Sequence, residues 1–328
     1  MSILVDDRRQ ATLLSGNVHQ PSGIAIAAFL FALGWLRATI KMASLVFQAE
    51  PSMRHYCAML RPGKKYSVYD LRQLKGKRCL THIHVKSAEE AAAAEAAGID
   101  LMSCSFDTPA SQARLPLIVA AAPTSFISAA TPHGLASTEE AIRIGFRAVE
   151  TGASSVYCSA SPWIIEAMAR ERIPVVGHLG MVPRHATWTN IRAIGKTAIE
   201  AKRLYDDLKR LENAGAYAAE LELVPQQLAT YLCKKTTLFL MSLGSGPGCD
   251  SQFLFSDDIL ADYDERIPRH AKAYRNFLQE YKRLQQERVA AFKQYADDVT
   301  SGRFPEGSHL IEIEQAEFTQ AVARIEGR

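Results

Sequence analysis

The sequence lacks a long apolar run, a paired-cysteine motif and any block of charge of one sign, and each lack closes off a class of protein. The longest apolar stretch, Gly23 to Leu36 (GIAIAAFLFALGWL), ends at Arg37 and Lys41. It falls short of the roughly 20 residues that a membrane-spanning helix needs. It reads instead as an amphipathic helix packed on the main domain or on a neighbouring subunit. Asp6, Asp7, Arg8 and Arg9 cancel one another, so the basic start of a secretory signal is missing too. The six cysteines, Cys57, Cys79, Cys104, Cys158, Cys233 and Cys249, form no CxxC pair, and several lie inside apolar runs where a disulfide framework would be out of place. That usage predicts a reducing, cytoplasmic setting. The formal net charge is only +3, and Lys and Arg are mixed with Asp and Glu towards the C-terminus. The basic stripe of a nucleic-acid binder is therefore absent. Leu243 to Asp250 (LGSGPGCD) can bring backbone amides close to an anion, but it lacks the GxGxxG spacing of a dinucleotide site.

What is present is a chain of 328 residues, 48% hydrophobic, punctuated by short apolar runs. Eight of them have strand length: Cys79 to Val85, Asp100 to Phe106, Pro116 to Ala122, Ser155 to Ser159, Pro174 to Gly180, Ala218 to Val224, Leu238 to Leu243 and Gln252 to Phe255. Most are followed by a helical pattern. Ser87 with Glu90 forms a capping box ahead of an alanine-rich helix, and Ser137 opens a second helix that runs to Glu150. Lys196 to Ala214 carries Ala198, Ala201, Leu204, Leu208 and Leu211 on one face. Parallel strands covered on both faces lose polar alternation, as these have. The fold class predicted is α/β, a (β/α)8 TIM barrel of about 250 residues with N-terminal and C-terminal helical extensions. Its parts are an extension over 1–60, the barrel over 61–260, a C-terminal helical region over 261–324, and Ile325-Glu326-Gly327-Arg328, which reads as a tag remnant. The stretch from His270 to Thr300, where charged residues alternate with Tyr274, Phe277, Tyr281, Leu284, Val289 and Phe292, predicts a solvated helix pair with one apolar stripe.

In such a barrel the chemistry sits at the C-terminal ends of the strands. The side chains collected there are His82, His84, Ser105, Asp107, Tyr157 to Ser159, His178, Glu220, Glu222, Ser242, Ser245 and Asp250. A carboxylate at the mouth of an apolar strand is partly desolvated, which makes Glu222 a candidate general base, with a structural carboxylate bonded to loop amides as the alternative. His178 can donate to a substrate oxygen while its other nitrogen is held by the scaffold, or it can be a satisfied core histidine. His82 and His84 share one face of a strand, and with Asp107 they can ligate a transition metal. Cys104 and Cys158 read as buried packing rather than activated nucleophiles.

Four stretches carry a family resemblance: IPVVGHLGMVPR, the helix leading to ENAGAYAAELELVP, LGSGPGCDSQFLF and YADDVTSGRFPEGSH. Together with VYDLRQLKGKR, EAAGID and PLIVAAAP they resemble ketopantoate hydroxymethyltransferase, of the phosphoenolpyruvate mutase and isocitrate lyase superfamily. The resemblance covers roughly Tyr66 to His309. It implies an α/β barrel, a homo-oligomer that is often decameric, and transfer of a hydroxymethyl group from methylenetetrahydrofolate to the small-molecule 2-oxo acid 3-methyl-2-oxobutanoate, the enolate step of pantothenate biosynthesis. It also implies Mg²⁺ chelating the 2-oxo acid and acidifying its C3. The family's glutamate before VP falls on Glu222 and the histidine of GHLG on His178.

The metal half of the pattern departs from the family. Where the family has VGDS, this chain reads CSFD, which puts Phe106 at the metal aspartate and Asp107 at a substrate serine. ADMP is matched to Ala120-Ala121-Ala122-Pro123, with Ala121 at the second aspartate. KLEG becomes Tyr157-Cys158-Ser159-Ala160, so Tyr157 replaces the substrate lysine and Ser159 the metal glutamate. TAYD becomes THIH, ending in His84. Three lost carboxylates leave no hard-cation site of the family kind. The expected site therefore has Glu222 and His178 as catalytic residues, Asp107, Tyr157, Ser159 and Ser245 against substrate, and Asp107 with His84 as ligands for a softer metal. Three readings follow from this set. One is a hydroxymethyltransferase-like enzyme acting on a 2-oxo acid. Another is a lyase or aldolase with altered metal or none, in which Glu222 is the base and Tyr157 or His178 stabilises an oxyanion. The third is a non-catalytic paralogue serving as a binding or assembly partner, its pocket filled by Phe106 and Tyr157.

Overall fold

The computed structural model describes residues 64–328, so the Gly23 to Leu36 run and Cys57 lie outside the described residues. Eight parallel strands close in sequence order: β1 (Leu80–His84), β2 (Leu101–Ser105), β3 (Phe126–Ala130), β4 (Ser155–Tyr157), β5 (Val175–Gly180), β6 (Ala218–Glu222), β7 (Phe239–Leu243) and β8 (Ser251–Phe255). β1 seals the barrel by pairing with β8, from Leu80 opposite Ser251 to His84 opposite Phe255. Period-two alternation then sorts each strand. Met102, Cys104, Ile127, Ala129, Val156, Val175, Leu179, Ala219, Leu221 and Leu240 join the larger apolar core with the helices. Leu80, Leu101, Phe126, Val176, Ala218 and Phe239 fill the lower interior. The same inward parity, continued upward, delivers His84, Ser105, Tyr157, His178, Glu220 and Glu222 to the mouth.

The helices are α1 (Val68–Leu74), α2 (Ala88–Ala96), α3 (Pro109–Ala121), α4 (Thr138–Thr151), α5 (Pro162–Arg170), the short α6 (Ala186–Thr189), α7 (Ala198–Asn213), α8 (Gln226–Cys233) and α9 (Ser256–Leu260). Ser67, Ser87, Thr108, Ser137 and Thr197 each cap their helix by accepting a bond from the backbone amide three residues on.

One strand differs from the sequence expectation. Pro116 to Ala122 is not a strand but the second half of α3, and the third strand is Phe126–Ala130. The signals for the helix are local: Thr108 and Ser111 form a reciprocal capping box, and Pro109 occupies the first turn, where its missing amide costs nothing. Pro116 inside the helix and the run of Leu, Ile, Val and Ala after it imitate a strand beginning. Ala121 therefore lies on a helix, and the position at a strand end is Ala130, followed by Thr131-Pro132-His133.

The opposite end of the barrel is tied by two aspartates. Asp100 accepts bonds from the Thr81 amide, the Thr81 hydroxyl, Tyr66 and Lys65, and pairs with Arg78. Burial pushes its carboxyl up, but these donors outweigh burial and hold it well below the usual carboxylate range. Asp250 accepts from the amides of Gly76 and Leu240 and from Lys75. Because it precedes β8 rather than following β7, Asp250 belongs to this lower end and not to the mouth.

Beyond the barrel, His270 to Thr300 is not a helix pair. Residues 270–276 are irregular, and one long helix, α10 (Phe277–Thr300), is followed after a loop by α11 (Gln315–Ile325). Neither buries a residue within the chain. Among the described residues no helix is long and apolar enough to cross a membrane.

Candidate active site

The site is built where β5 and β6 end side by side. His178 lies opposite Glu220, and Gly180 opposite Glu222. The imidazole Nε2 of His178 is 3.0 Å from Glu222 Oε2, the distance of an N–H donating to a carboxylate, and 3.8 Å from Glu220 Oε1. Both glutamates are buried, at 8% and 3% exposed. Burial, and then the neighbouring charge of Glu222, push the Glu220 carboxyl well above its ordinary range. Backbone contacts fix the pair. The Met181 amide donates to the Glu222 carbonyl and the Leu223 amide to that of Leu243. Leu223 takes φ +51, a conformation that L-residues avoid unless the surroundings impose it.

The facing wall comes from β1 to β4. Tyr157 is nearly buried, its ring edge-on to His178 at 6.0 Å, and its hydroxyl has no hydrogen-bond partner. His84 meets Ser103 Oγ at 3.1 Å and Ser105 Oγ at 3.5 Å through its two ring nitrogens. Burial lowers His84 to about 4 and His82 to about 3, so both imidazoles are neutral at physiological pH. His82 lies deeper, stacked on Phe253 at 4.2 Å. Ser159 bonds to His133, and Asp107 accepts a bond from Ser111. Together these groups enclose a cavity of about 230 Å³, capped by Leu243, Phe253 and Phe255. A second cavity of about 440 Å³ shares Ser159 and His178 with it and carries Arg184, Arg192, Arg203 and Arg210.

The residues present do not fit a Mg²⁺ site of the family kind. Phe106 turns into the strand–helix core, 1% exposed, Ala130 has no donor atom, and the Ser159 hydroxyl is engaged by His133. A hard cation needs several oxygen ligands, preferably carboxylates, and these three positions supply no carboxylate. Two groups of three among the described residues place donor atoms within 4.8 Å of one another: His178 with Glu220 and Glu222, and Glu90 with Asp257 and Asp262. Lys86 already pairs with Asp257 and Asp262 in the second. Asp107 and His84 belong to neither group, although both face the cavity.

Of the residues expected at the site, Glu222, His178, Asp107, Tyr157, Ser159 and His84 line one cavity. Ser245 does not reach it: its hydroxyl donates to the Leu221 carbonyl and accepts from the Val224 amide, so it braces the end of β6 from behind. Phe106 does not fill the pocket, because its side chain points the other way. Cys104 and Cys158 are buried, and burial pushes the Cys104 thiol up to about 12, as packing residues require. Sequence reasoning missed Thr131 and His133, which follow the displaced third strand, and gave no role to Glu220. Its signal was the two-residue spacing from Glu222, which puts both side chains on the inner face.

Gly180 is the tightest point of this construction. It has φ +88, and a Cβ there would lie 2.1 Å from the Glu222 carbonyl oxygen. Gly180→Ala is expected to push β5 and β6 apart and shift Glu222, lowering turnover by about 100-fold, the cost of a misplacement of about 1 Å. Comparison of turnover and thermal midpoint checks this. Unchanged turnover would show that the contact does not position Glu222.

Residues 109–307 match the family model described as ketopantoate hydroxymethyltransferase. Curated relatives named 3-methyl-2-oxobutanoate hydroxymethyltransferase include one from Kosmotoga olearia, 32% identical over 73% of this chain and 94% of the relative, and one from Staphylothermus marinus, 28% identical over 76% and 96%. Another, from Chloroflexus aurantiacus, is 34% identical over 57% of this chain, and the chain spans 65% of its length. A solved structure of 2,3-dimethylmalate lyase, a PEP mutase/isocitrate lyase superfamily member, aligns at 13% identity with a TM-score of 0.46, covering 79% of this chain and 96% of that one. The family model spans more than half of the chain, and the histidine and glutamate of the shared motifs meet in one cavity: the chain belongs to the ketopantoate hydroxymethyltransferase family.

Proposed function

We propose that this chain transfers a hydroxymethyl group to a small 2-oxo acid, 3-methyl-2-oxobutanoate or a close analogue, by way of an enolate. The observation that carries this reading is the contact between His178 and Glu222 at the mouth of a cavity sized for such an acid. Glu222 takes the C3 proton, the C–H pair becomes the C2–C3 double bond, and the carbonyl pair moves onto oxygen. His178 holds the carboxylate in position. The enolate carbon then attacks the one-carbon unit of methylenetetrahydrofolate, water supplies the hydroxyl oxygen, and tetrahydrofolate leaves. The arginine-bearing second cavity adjoins the first, and its charge suits the glutamate carboxylates of such a donor. Asp107 and Ser159 line the cavity that would hold the acid. A cytoplasmic location fits the unpaired thiols among the described residues.

Proton exchange at C3 of 3-methyl-2-oxobutanoate in D2O, followed by NMR, tests the reading. Glu222→Gln is expected to slow exchange by about 10²- to 10⁴-fold, the usual worth of a positioned base. Equal exchange in the variant would remove Glu222 from the mechanism.

The assembly proposed is a homo-oligomer. Val289, Phe292 and Tyr295 on α10, with Ile311 and Phe318 beyond it, are each at least half exposed in the single chain, an apolar surface that a soluble chain covers with a partner copy. Phe292→Glu is expected to lower the mass measured by light scattering towards that of one chain. An unchanged mass would exclude this face from the interface.

A further inference from the structure

The three family metal positions carry no carboxylate, yet two buried side chains able to present a hydroxyl, Tyr157 and Glu220, border the cavity. One is Tyr157, which lines the cavity and whose buried Oη has no partner. The other is Glu220, 3% exposed, lining the same cavity, with its nearest ionic partner, His178 Nε2, at 3.8 Å, beyond hydrogen-bond reach. The carboxyl oxygens of Glu220 and Glu222 lie within 4.8 Å of each other and of that nitrogen. Two carboxylates this close, buried beside a single imidazole, resist ionising together. The proton goes to the member without a donor. Glu222 has one, His178 at 3.0 Å, whereas the same nitrogen stands 3.8 Å from Glu220.

We infer that Glu220, as a neutral carboxylic acid, and Tyr157 form an oxyanion hole for the substrate's C2 oxygen, replacing the metal with two hydrogen-bond donors. This rests on the enolisation reading above and deepens it. The two donors flank His178 in strand order, one on β4 and one on β6, and all three line the same cavity. Glu222 removes the C3 proton, and the charge that develops on the C2 oxygen is met by O–H groups that have no other bond to break. Preorganised donors of this kind act strongly because they need not be turned away from other partners first. The titratable groups facing the cavity from the surrounding elements are His84, Asp107, His133, Tyr157, His178 and Glu222, while the β7 and β8 ends contribute only Leu243, Phe253 and Phe255. No Lys or Arg lines it. An enolate therefore has neutral donors rather than a fixed cation to stabilise it, unless a metal enters the group formed by His178, Glu220 and Glu222.

Two measurements on the full chain, purified with chelator, decide between these. Infrared difference spectroscopy at neutral pH is expected to show the carbonyl stretch of a protonated carboxyl group that is lost in Glu220→Gln. Its absence from the wild-type protein would overturn the inference whatever the substrate. C3 exchange of 3-methyl-2-oxobutanoate is expected to persist in chelator, to fall about 100-fold or more in Tyr157→Phe and in Glu220→Leu, and to be partly restored in Glu220→Gln, whose amide still donates. Exchange that requires added Mg²⁺, Mn²⁺ or Zn²⁺ would overturn the oxyanion hole and leave the enolisation reading standing. No exchange with or without metal would sink that reading, and the oxyanion hole with it.

Discussion

Two carboxyl groups end one strand beside a single histidine, and most of the upper barrel is arranged around that fact. Glu220 and Glu222 share the inner face of β6 because side chains alternate along a strand, and His178 joins them because β5 pairs with β6 in register. The cost of burying this much acid is met by the His178 contact and, in our account, by one retained proton. Gly180 admits the Glu222 carbonyl, Leu223 accepts a left-handed backbone, and Ser245 holds the chain from behind. Each of these makes sense only if the position of Glu222 matters.

The departures from the family pattern then read as one change rather than several. Phe106, Ala130 and Ser159, at or just past the ends of β2, β3 and β4, carry no carboxylate. Tyr157, at the end of β4, contributes a phenol rather than a cation. The acidic groups around the cavity are Asp107 and the β6 pair, and no Lys or Arg lines it. In a cavity of low polarity a hydrogen-bond donor gains strength, so under the inference above two hydroxyl groups take the electrophilic role that a metal ion would have. The neighbouring arginine-bearing cavity keeps its charge outside the reaction centre.

The barrel was legible in the sequence because parallel strands covered on both faces leave short apolar runs, and seven of the eight were where those runs lay. The third was misread because α3 carries Pro116 in its interior and ends in Ile-Val-Ala-Ala, a run that composition alone does not assign to helix or strand. That error carried Ala121 into the site and left out Thr131 and His133. Glu222 and His178 were legible through motif and strand-end position. Ser245 was not, since only tertiary structure shows a serine spending both of its bonds on backbone. Asp250 was misplaced for a related reason: a residue between two strands belongs to whichever end the next strand starts from.

The central claim is that Glu220 keeps its proton in the folded chain. A carboxyl whose folded pKa is raised gives stability that is fully present below its unfolded pKa of about 4.3 and is lost as pH rises towards the folded value. Glu220→Gln has no such loss. The direct measurement is the thermal midpoint of wild type and Glu220→Gln from pH 5 to pH 9. The account predicts that the variant gains on the wild type steadily as pH rises through this range. Parallel curves, with a constant difference at every pH, would mean that Glu220 titrates in the folded protein as it does in the unfolded one, and would contradict the account.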